Sequence, residues 1–250
     1  MQRYFVLPEQ IREGRVTIKG GDAHHIARVM RYKAGDVIIV CDNTGRELIV
    51  QLEHVWGNAV TGRVTTERTA LSEPRLRVTL AQSLLKGDKF DWVVQKGTEM
   101  GVYQFWPFHA ERSVVRLSDS KAAKRRERWH KIAKEAAEQA RRGRIPEVSN
   151  PVRWRDVLDH IPLFDVAVIP HERERNQSLP SLWQSLSRVE TCLIIVGPEG
   201  GFEAEEVNEA QQAGAYPVYL GPRILRAETA ALTTIACTMW AGGEMEVTAE

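Results

Sequence analysis

Short apolar runs separated by turn residues dominate the first 72 residues of the chain. The clearest runs lie at 37–40, 48–52 and 60–64, and glycine, asparagine and aspartate residues bound them. A spacing of about ten residues between such runs is typical of a small barrel or sandwich. One segment has helical spacing instead, in which Asp22 would cap a helix and one face would carry His25, Ile26, Val29 and Met30. The pattern therefore predicts a small β-barrel that is interrupted by one helix.

The pattern changes after a turn-like joint at 72–74, where apolar runs begin to alternate with longer amphipathic segments. Strands are predicted at 76–85, 104–108, 163–169, 193–196 and 216–220, and helices at 88–100, 122–142, 178–187, 203–212 and 225–240. Strands that alternate with helices favour an α/β domain with a largely parallel sheet. With a length of 250 residues, the chain is predicted to be an α/β protein with two domains, 1–72 and 73–250.

The helix predicted at 88–100 has clear ends and one unusual interior residue. Asp88 is a favourable N-cap, and Gly101 lies just past the last turn. Gly97 lies inside the helix, where glycine costs about 1 kcal/mol relative to alanine. We therefore expect another group to pack closely against Gly97.

The net charge of +1 hides a segregation of charge along the chain. The net charge is +2 over 1–72, +6 over 73–192 and −7 over 193–250. Ten lysines and arginines fall within 121–144 alone, against three glutamates. This asymmetry favours one surface that faces a polyanion and another that faces something else. A solvated helix face remains the alternative for the basic run.

Several common kinds of site are absent from the sequence. It contains no G-x-G-x-x-G, Walker, H-E-x-x-H or G-x-S-x-G motif. Cys41, Cys192 and Cys237 have no zinc-ligand spacing, and the adjacent His24 and His25 would diverge on a helix, so we expect no metal. Cys192 and Cys237 lie in apolar segments and are predicted to be small core residues in a reducing compartment. With no secretory segment and no apolar run near 18 residues, we expect a soluble, cytoplasmic protein.

Two loops at the carboxyl ends of predicted strands are the best candidates for a ligand site. The first, 197–202, reads Gly-Pro-Glu-Gly-Gly-Phe, and the second, 220–230, reads Leu-Gly-Pro-Arg-Ile-Leu-Arg-Ala-Glu-Thr-Ala. Open α/β sheets bind ligands beyond the carboxyl ends of their strands, and glycines let the backbone approach a flat ligand. One such loop alone would be compatible with an ordinary tight turn. Two of them on neighbouring elements favour a binding site.

These two loops resemble the cofactor motifs of the SPOUT methyltransferases, and most closely those of the RsmE-type 16S ribosomal RNA uridine-N3 methyltransferase family. The similarity extends along nearly the whole chain, from residue 3 to beyond residue 230. It includes Arg-Tyr-Phe-Val at 3–6, His-His-Ile-Ala-Arg-Val-Met-Arg at 24–31, Lys-Gly-Asp-Lys at 86–89, Lys-Gly-Thr-Glu-Met-Gly at 96–101 and Glu-Arg-Ser at 111–113. The combination is highly specific for this family.

The resemblance implies both a fold and a reaction. The fold is an N-terminal PUA-like β-barrel that docks RNA and a C-terminal SPOUT α/β domain tied in a deep trefoil knot, which general rules of chain connectivity disfavour. The reaction is methyl transfer from S-adenosyl-L-methionine, bound in the knot, to N3 of a uridine in 16S rRNA of the small ribosomal subunit. The family works as a homodimer, with the target base near the subunit interface. The implied cofactor-binding residues are Gly197, Pro198, Glu199, Gly200, Gly201, Leu220, Gly221, Ile224, Leu225, Arg226, Thr229 and Ala230.

Three residues are candidates for catalysis in this reaction. Loss of the N3 proton leaves negative charge on two carbonyl oxygens of uracil, which fixed cationic donors stabilise. Arg142 and Arg226 are the candidates for that role, and the alternatives are a phosphate contact for Arg142 and a structural ion pair for Arg226. Glu228 is a candidate general base, although its place in the first turn of the last helix favours a capping role.

The chain departs from the family pattern at one place. Where the family usually reads Glu-Gln-Ser-Gly-Arg, residues 138–142 read Glu-Gln-Ala-Arg-Arg. Arg142 falls on the family arginine, while Ala140 and Arg141 replace the serine and the glycine. A role that needs a serine hydroxyl is therefore not available here, and the extra arginine adds positive charge.

Charge and resemblance together suggest residues that face RNA, because phosphate contacts dominate the affinity of nucleic-acid binding. The candidates are Arg3, Arg28, Arg31, Lys33, Arg112 and Arg142. Taken singly, each of them is as compatible with a plain surface charge. Tyr4 and Phe5 are predicted to lie in the barrel core rather than to stack on bases.

Two other functions remain open at this point. The chain could be a SPOUT enzyme with another target, such as a ribose 2′-OH of another RNA. It could also be a non-catalytic RNA-binding or ribosome-assembly protein, although the intact cofactor loops argue against that.

Overall fold

The computed structural model describes residues 1–246 and separates into two compact units. The first unit combines Met1–Glu73 with the later segment Ala137–Ile145, and the second combines Pro74–Ala136 with the chain from 146 onward. The first unit thus contains a segment far outside the predicted domain 1–72. The apolar pattern could not indicate this return, because the segment begins within a helix that starts at Asp119 in the second unit.

A six-stranded half-barrel forms the first unit. Its strands are β1 (Arg3–Phe5), β2 (Ile11–Arg12), β3 (Arg15–Lys19), β4 (Val37–Cys41), β5 (Arg46–Val55) and β6 (Ala59–Thr69), in the spatial order β1-β4-β5-β6-β3-β2. Neighbouring strands are antiparallel, except that β1 and β4 are parallel. A 3₁₀ turn, Pro8–Gln10, precedes β2. The strands predicted at 37–40, 48–52 and 60–64 are confirmed as parts of β4, β5 and β6.

Alternating residues of the strands build the core of this unit. Leu48, Val50 and Leu52 along β5 are each at most 2% exposed, because successive side chains of a strand point to opposite faces. Tyr4 packs into the same cluster, and Phe5 is buried in a second, smaller cluster. The prediction that Tyr4 and Phe5 lie in the core is confirmed.

The helix of the first unit differs from the prediction. α1 (Gly21–His24) continues directly into a single π-helical turn, His25–Val29, and Asp22 lies inside α1 rather than at its N-cap. Of the predicted face, Ile26 is fully buried, whereas Val29 is 60% exposed. The predicted face assumed 3.6 residues per turn. The wider π turn rotates the residues that follow Ile26 away from the core.

A seven-stranded, all-parallel sheet forms the second unit. Its strands are β7 (Arg77–Ser83), β8 (Gln104–His109), β9 (Glu147–Val148), β10 (Val152–Arg153), β11 (Val166–Pro170), β12 (Thr191–Val196) and β13 (Tyr216–Val218). The spatial order is β10-β8-β7-β12-β11-β13, with β9 paired to β8. The predicted α/β alternation and parallel sheet are confirmed.

Six helices of the second unit accompany these strands. They are α2 (Lys89–Glu99), α3 (Asp119–Gln139), α4 (Trp154–His160), α5 (Leu179–Ser185), α6 (Ala204–Gln212) and α7 (Ala227–Ala241). The sequence pattern did not predict α4, β9 or β10. The start of the strand predicted at 163–169 was also wrong, because Ile161–Leu163 forms a 3₁₀ turn before β11. Within residues 1–246, none of the helices combines the length and the apolar character that a membrane crossing requires.

The two cysteines that were predicted to lie in the core differ in burial. Cys192 lies in β12, which is buried along nearly its whole length, as expected of a central parallel strand. Cys237 is exposed, so its prediction as a core residue was wrong. α7 buries the face that carries Ile235 and Met239, and Cys237 points away from that face.

α2 confirms the expected close contact at Gly97. A Cβ placed on Gly97 would lie 2.8 Å from the ring of Phe105 in β8, so a larger residue would require the ring or the helix to shift. Asp88 occupies the N-cap position of α2, and Gly101 follows its end with a φ of +93°. The predicted ends of this helix are therefore confirmed, although the Asp88 side chain makes no capping hydrogen bond.

α3 ends three residues earlier than predicted and closes with a Schellman motif. The amide of Arg142 donates to the carbonyl oxygen of Ala137 at 2.9 Å, and the amide of Arg141 donates to that of Glu138 at 3.4 Å. Arg141 has a φ of +59°, in the left-handed region that this motif requires and that glycine adopts without strain. The geometry thus explains why a glycine is favourable here, and Arg141 occupies the position at an energetic cost.

We expect Arg141→Gly to stabilise the protein by about 1 kcal/mol, because it relieves the left-handed strain of a residue that carries a Cβ. The measurement is the free energy of unfolding in urea, compared with that of Arg141→Ala. The alanine variant removes the same positive charge but keeps the Cβ, so it should show no such gain. Equal stability of the two variants would assign the effect to charge and contradict the backbone argument.

Candidate active site

A cleft opens where three neighbouring parallel strands end. The loops that follow β11, β12 and β13 line this cleft. Its position is the carboxyl edge of the sheet, where α/β proteins bind ligands. The lining residues are Pro170, His171, Glu172, Val196, Gly197, Pro198, Glu199, Gly201, Phe202, Tyr219, Leu220, Gly221, Arg223, Ile224, Leu225, Ala227 and Ala230.

The cleft brings together most of the residues predicted to bind the cofactor, from both loops. Nine of the twelve are in the lining, namely Gly197, Pro198, Glu199, Gly201, Leu220, Gly221, Ile224, Leu225 and Ala230. The other three predicted residues, Gly200, Arg226 and Thr229, lie in the same loops but outside the lining.

Sequence reasoning missed the lining residues that follow β11. His171 and Glu172 come directly after this strand, whose carboxyl end meets those of its parallel neighbours at one edge of the sheet. The sequence predicts a buried strand at 163–169. Its position in the sheet could have indicated that the residues just beyond its carboxyl end line the cleft. Burial lowers the pKa of His171, which favours the neutral imidazole in the cleft.

Backbone geometry explains the glycines of both loops. Gly201 has a φ of +69°, and its amide donates to the carbonyl oxygen of Pro198 at 2.9 Å, which closes a tight turn. A Cβ on Gly197 would lie 3.0 Å from the ring of Phe202. In the second loop, Gly221 has a φ of +106°, a conformation that side chains disfavour. Bare backbone therefore faces the cleft from two sides.

Glu199 anchors the first loop to the start of α2. Its Oε1 accepts hydrogen bonds from the amide of Lys86 at 3.0 Å and from Nζ of Lys89 at 3.3 Å. Burial raises the pKa of Glu199, but these hydrogen bonds and the Lys89 charge outweigh burial and hold the pKa below its usual value. Nζ of Lys89 also lies 3.6 Å from Oε2 of Glu228. One ammonium group thus connects the two loops.

The start of α7 presents Arg226 and Glu228, two of the catalytic candidates. Arg226 is the exposed N-cap residue, and none of the hydrogen bonds or ion pairs between described residues involves its guanidinium. Glu228 lies in the first turn with its side chain 13% exposed, paired with Lys89. Oε2 of Glu228 accepts no hydrogen bond from the described residues. Arg226 is therefore available to a substrate, whereas Glu228 is engaged in an ion pair.

Arg142, the third catalytic candidate, is buried in the first unit with 2% exposure. Its Nε and Nη2 donate to the Glu73 carboxylate at 3.2 and 2.8 Å. Oε1 of Glu73 also accepts from the amides of Gly143 and Arg144, at 2.9 and 3.1 Å. The carbonyl oxygen of Arg142 accepts from Nη1 of Arg3 at 2.8 Å. Glu73 and Arg3 thus fix the turn after α3.

Arg3, predicted to face RNA, is also buried, with 5% exposure. Its Nη2 lies 2.5 Å from Oε1 of Glu47, whose other oxygen lies 2.9 Å from Nε of Arg68. Glu47 and Arg3 are both buried, whereas the side chain of Arg68 is exposed. The guanidinium of Arg3 therefore supports the fold from inside and does not reach the surface.

Arg112, also predicted to face RNA, contacts the first loop and the residue that follows it. Its Nε and Nη2 lie 2.6 and 2.7 Å from the two carboxylate oxygens of Glu203, and its Nη1 donates to the carbonyl oxygen of Gly200 at 3.1 Å. The hydrogen bonds from Arg112 lower the pKa of Glu203. This exposed arginine therefore connects Gly200 of the first loop to Glu203, the N-cap residue of α6. The remaining three predicted RNA-binding residues, Arg28, Arg31 and Lys33, lie together on the first unit and line one open groove.

Comparison with known proteins identifies the family. A family model described as an RNA methyltransferase domain matches residues 72–239, and one described as an RNA methyltransferase PUA domain matches residues 18–65. The ribosomal RNA small subunit methyltransferase E of Bacillus subtilis is 41% identical over 243 residues, which cover 94% of this chain and 95% of its own. The chain belongs to the ribosomal RNA small subunit methyltransferase E family.

Solved structures of related methyltransferases extend the similarity to the fold. One is a ribosomal RNA small subunit methyltransferase E from Neisseria gonorrhoeae bound to S-adenosyl methionine, with a TM-score of 0.85 and 32% identity over 96% of this chain and 97% of that one. A second structure, described as a methyltransferase from Legionella pneumophila in complex with the bound cofactor SAM, has a TM-score of 0.84 and 29% identity over 96% of this chain and 97% of that one. The architecture is thus that of methyltransferase E, with a PUA-like unit and an α/β methyltransferase unit.

Among residues 1–246, no three histidine, cysteine, aspartate or glutamate side chains are grouped so that they could hold a metal ion.

Proposed function

We propose that this protein transfers a methyl group from S-adenosyl-L-methionine to N3 of a uridine in 16S rRNA of the small ribosomal subunit. The observation that carries the proposal is the cleft at the carboxyl ends of β11, β12 and β13, which both cofactor-type loops line. The name of the Bacillus subtilis relative supports the substrate class, and the cofactor bound to the Neisseria gonorrhoeae relative supports the donor. The position N3 rests on the resemblance to the RsmE-type family.

The residues of the cleft fit this cofactor. Gly197, Gly201 and Gly221 bring bare backbone to the cleft, and Ile224 and Leu225 add apolar surface for a flat base. Among the charged residues of the lining, Glu172 and Glu199 outnumber Arg223, and this net negative charge suits a cation. When bound, S-adenosylmethionine supplies a methyl group carried on a positively charged sulfonium. The chain contributes position and electrostatics, because an in-line transfer depends mainly on alignment.

Arg226 is the proposed partner of the uracil oxygens. Its guanidinium is exposed at the start of α7, and its neighbours Leu225 and Ala227 line the cleft. A cation at this position would stabilise the charge that appears on the carbonyl oxygens when N3 loses its proton. Glu228 is the proposed proton acceptor of the three candidates, with Lys89 holding its carboxylate in place. Arg142 remains a proposed catalytic or RNA-binding residue. It would act by supporting the turn after α3, where it pairs with Glu73.

We also propose the trefoil knot and the homodimer that the resemblance implies. Exposed apolar side chains support the dimer, because Trp92 on α2 is 44% exposed, Trp240 on α7 is 69% exposed, and α2 and α7 pack against each other. A second copy of the chain would cover such surface. Since its proposed substrate is ribosomal RNA, we place the protein in the cytoplasm.

The decisive experiment offers the enzyme unmodified small subunits and, separately, naked 16S rRNA, each with methyl-labelled S-adenosylmethionine. We expect label in 3-methyluridine at a single position, identified by nucleoside mass spectrometry and primer extension. Label in a 2′-O-methylated nucleoside would overturn the N3 assignment and favour a ribose methyltransferase. Absence of label, together with no calorimetric binding of the cofactor, would favour a non-catalytic RNA-binding protein.

A further inference from the structure

The first unit carries an open groove that combines aromatic and cationic side chains. We call it the basic groove and define it by Arg28, Arg31, Lys33, His54 and Trp56. The groove lies entirely within the first unit, whereas the cofactor cleft belongs to the second. A ligand of the basic groove is therefore bound by residues other than those of the cofactor cleft.

Trp56 is the most distinctive residue of the basic groove. The indole is 52% exposed, and its ring stacks on His54 with 5.0 Å between ring centroids and 13° between ring planes. The imidazole therefore supports the indole as one platform and leaves an aromatic face open. Large aromatic side chains gain by burial, so an exposed and supported face of this kind indicates a flat partner.

A β-bulge turns this platform outward. Leu52 of β5 is buried, and strict alternation would point residues 54 and 56 to the same inward face. The pairing of β5 with β6 shifts register between Leu52 and His54. After the shift, Val55 packs against the core, and His54 and Trp56 face out. The amide of Trp56 then donates to the carbonyl oxygen of Ala59 at 2.8 Å, which holds its backbone at the hairpin turn.

Cationic side chains accompany the platform. Arg28, on the π turn, places its Nη2 3.7 Å from where a Cβ of Gly57 would lie, so its guanidinium sits beside the residue that follows Trp56. Arg31 and Lys33 line the same groove and are exposed. The acidic member of the lining, Glu53, has its Oε2 3.6 Å from Nε of Arg15. The charge of the groove is therefore complementary to a polyanion.

We propose that the basic groove binds an unstacked nucleobase of a single-stranded RNA segment, which stacks on Trp56 while Arg28, Arg31 and Lys33 contact the phosphates on either side. An open aromatic face suits every base, and single-stranded RNA is the form whose bases are free to stack on protein. A duplex would offer its phosphates but keep its bases inside. This inference rests on the proposed function, because it takes the substrate to be RNA.

The test compares binding of a short oligouridylate and of an RNA duplex of the same length, by fluorescence anisotropy with the full chain. We expect Trp56→Leu to bind the single strand at least about five-fold more weakly than the unaltered protein, since stacking of one base is worth about 1–3 kcal/mol. Trp56→Phe should retain most of the affinity, because it keeps an aromatic face. Duplex binding should be the same for all three proteins.

Controls separate the groove from general effects. Arg28→Ala should weaken binding of both RNAs, whereas Arg63→Ala, which removes an exposed arginine of β6 outside the groove, should not. Unaltered affinity of Trp56→Leu for the single strand, or an equal loss on the duplex, would overturn the inference. The cofactor affinity and methyl transfer of the unaltered protein are measured in parallel. If the proposed function is wrong, the unaltered protein will show no cofactor binding or no methyl transfer. If only the proposal for the basic groove is wrong, those two measurements will be normal and the Trp56 variants will not lose affinity for the single strand selectively.

Discussion

Replacement of Arg142 by alanine is expected to abolish methyl transfer while cofactor binding stays intact. The substitution removes the buried guanidinium that pairs with Glu73 and supports the turn after α3. The cofactor cleft is lined only by residues of the second unit, so its affinity for S-adenosylmethionine should not change. Loss of one partner of a buried ion pair also destabilises a protein by about 3–5 kcal/mol. The measurements are turnover on small subunits, cofactor titration by calorimetry, and urea unfolding.

A second variant separates the two effects of this substitution. Glu73→Gln removes the ion pair with Arg142 but keeps an oxygen that can accept from the amides of Gly143 and Arg144, and the guanidinium of Arg142 stays in the protein. Methyl transfer should stay close to normal in Glu73→Gln if Arg142 itself serves the reaction, and should fall as in Arg142→Ala if Arg142 acts only through its ion pair. Arg141→Gly is the matched control, since it removes the adjacent arginine without touching the ion pair. Near-normal turnover of Arg142→Ala would exclude any catalytic assignment.

Gly221→Ala is expected to weaken S-adenosylmethionine binding by at least about ten-fold and to remove methyl transfer with it. The φ of +106° at Gly221 is strained for any residue with a Cβ, at a cost of about 1–3 kcal/mol. The loop relieves this strain by moving, and it lines the cofactor cleft. Calorimetric titration with the cofactor measures the change directly.

The control for this variant carries a similar strain at a distant place. Gly14 has a φ of +72° in the turn between β2 and β3, and a Cβ there would meet no atom within 4 Å. Gly14→Ala should therefore lose a comparable amount of stability but bind the cofactor normally. If Gly221→Ala bound S-adenosylmethionine as tightly as Gly14→Ala does, the second loop would have no part in the cofactor site.

The α/β architecture and most of the cleft could be predicted from local patterns. Alternation of apolar runs with amphipathic segments locates β7, β8, β12 and their helices, because each burial pattern is a property of consecutive residues. The loops 197–202 and 220–230 follow from the same logic, since ligands bind at the carboxyl ends of parallel strands. The resemblance to a family then supplied the cofactor and the reaction, which no periodicity contains.

What sequence patterns missed depends on contacts between distant residues or on irregular backbone. The burial of Arg3 and Arg142 depends on Glu47 and Glu73, and no feature of the sequence links these pairs. The outward position of Trp56 depends on a single β-bulge, since simple alternation with buried Leu52 predicts the opposite.

The segment Ala137–Ile145 has a consequence for synthesis of the chain. Ala137 is fully buried in the cluster that contains Phe5, and Glu73 finds Arg142 only in this segment. A ribosome must therefore have extended the chain to about residue 145 before the N-terminal unit can complete its core, although domains generally fold in order as they emerge. Until then, the core of the half-barrel lacks Ala137, and Glu73 lacks its partner Arg142. A protein that we propose to act on ribosomal RNA therefore completes its N-terminal unit only after the ribosome has made the middle of its chain.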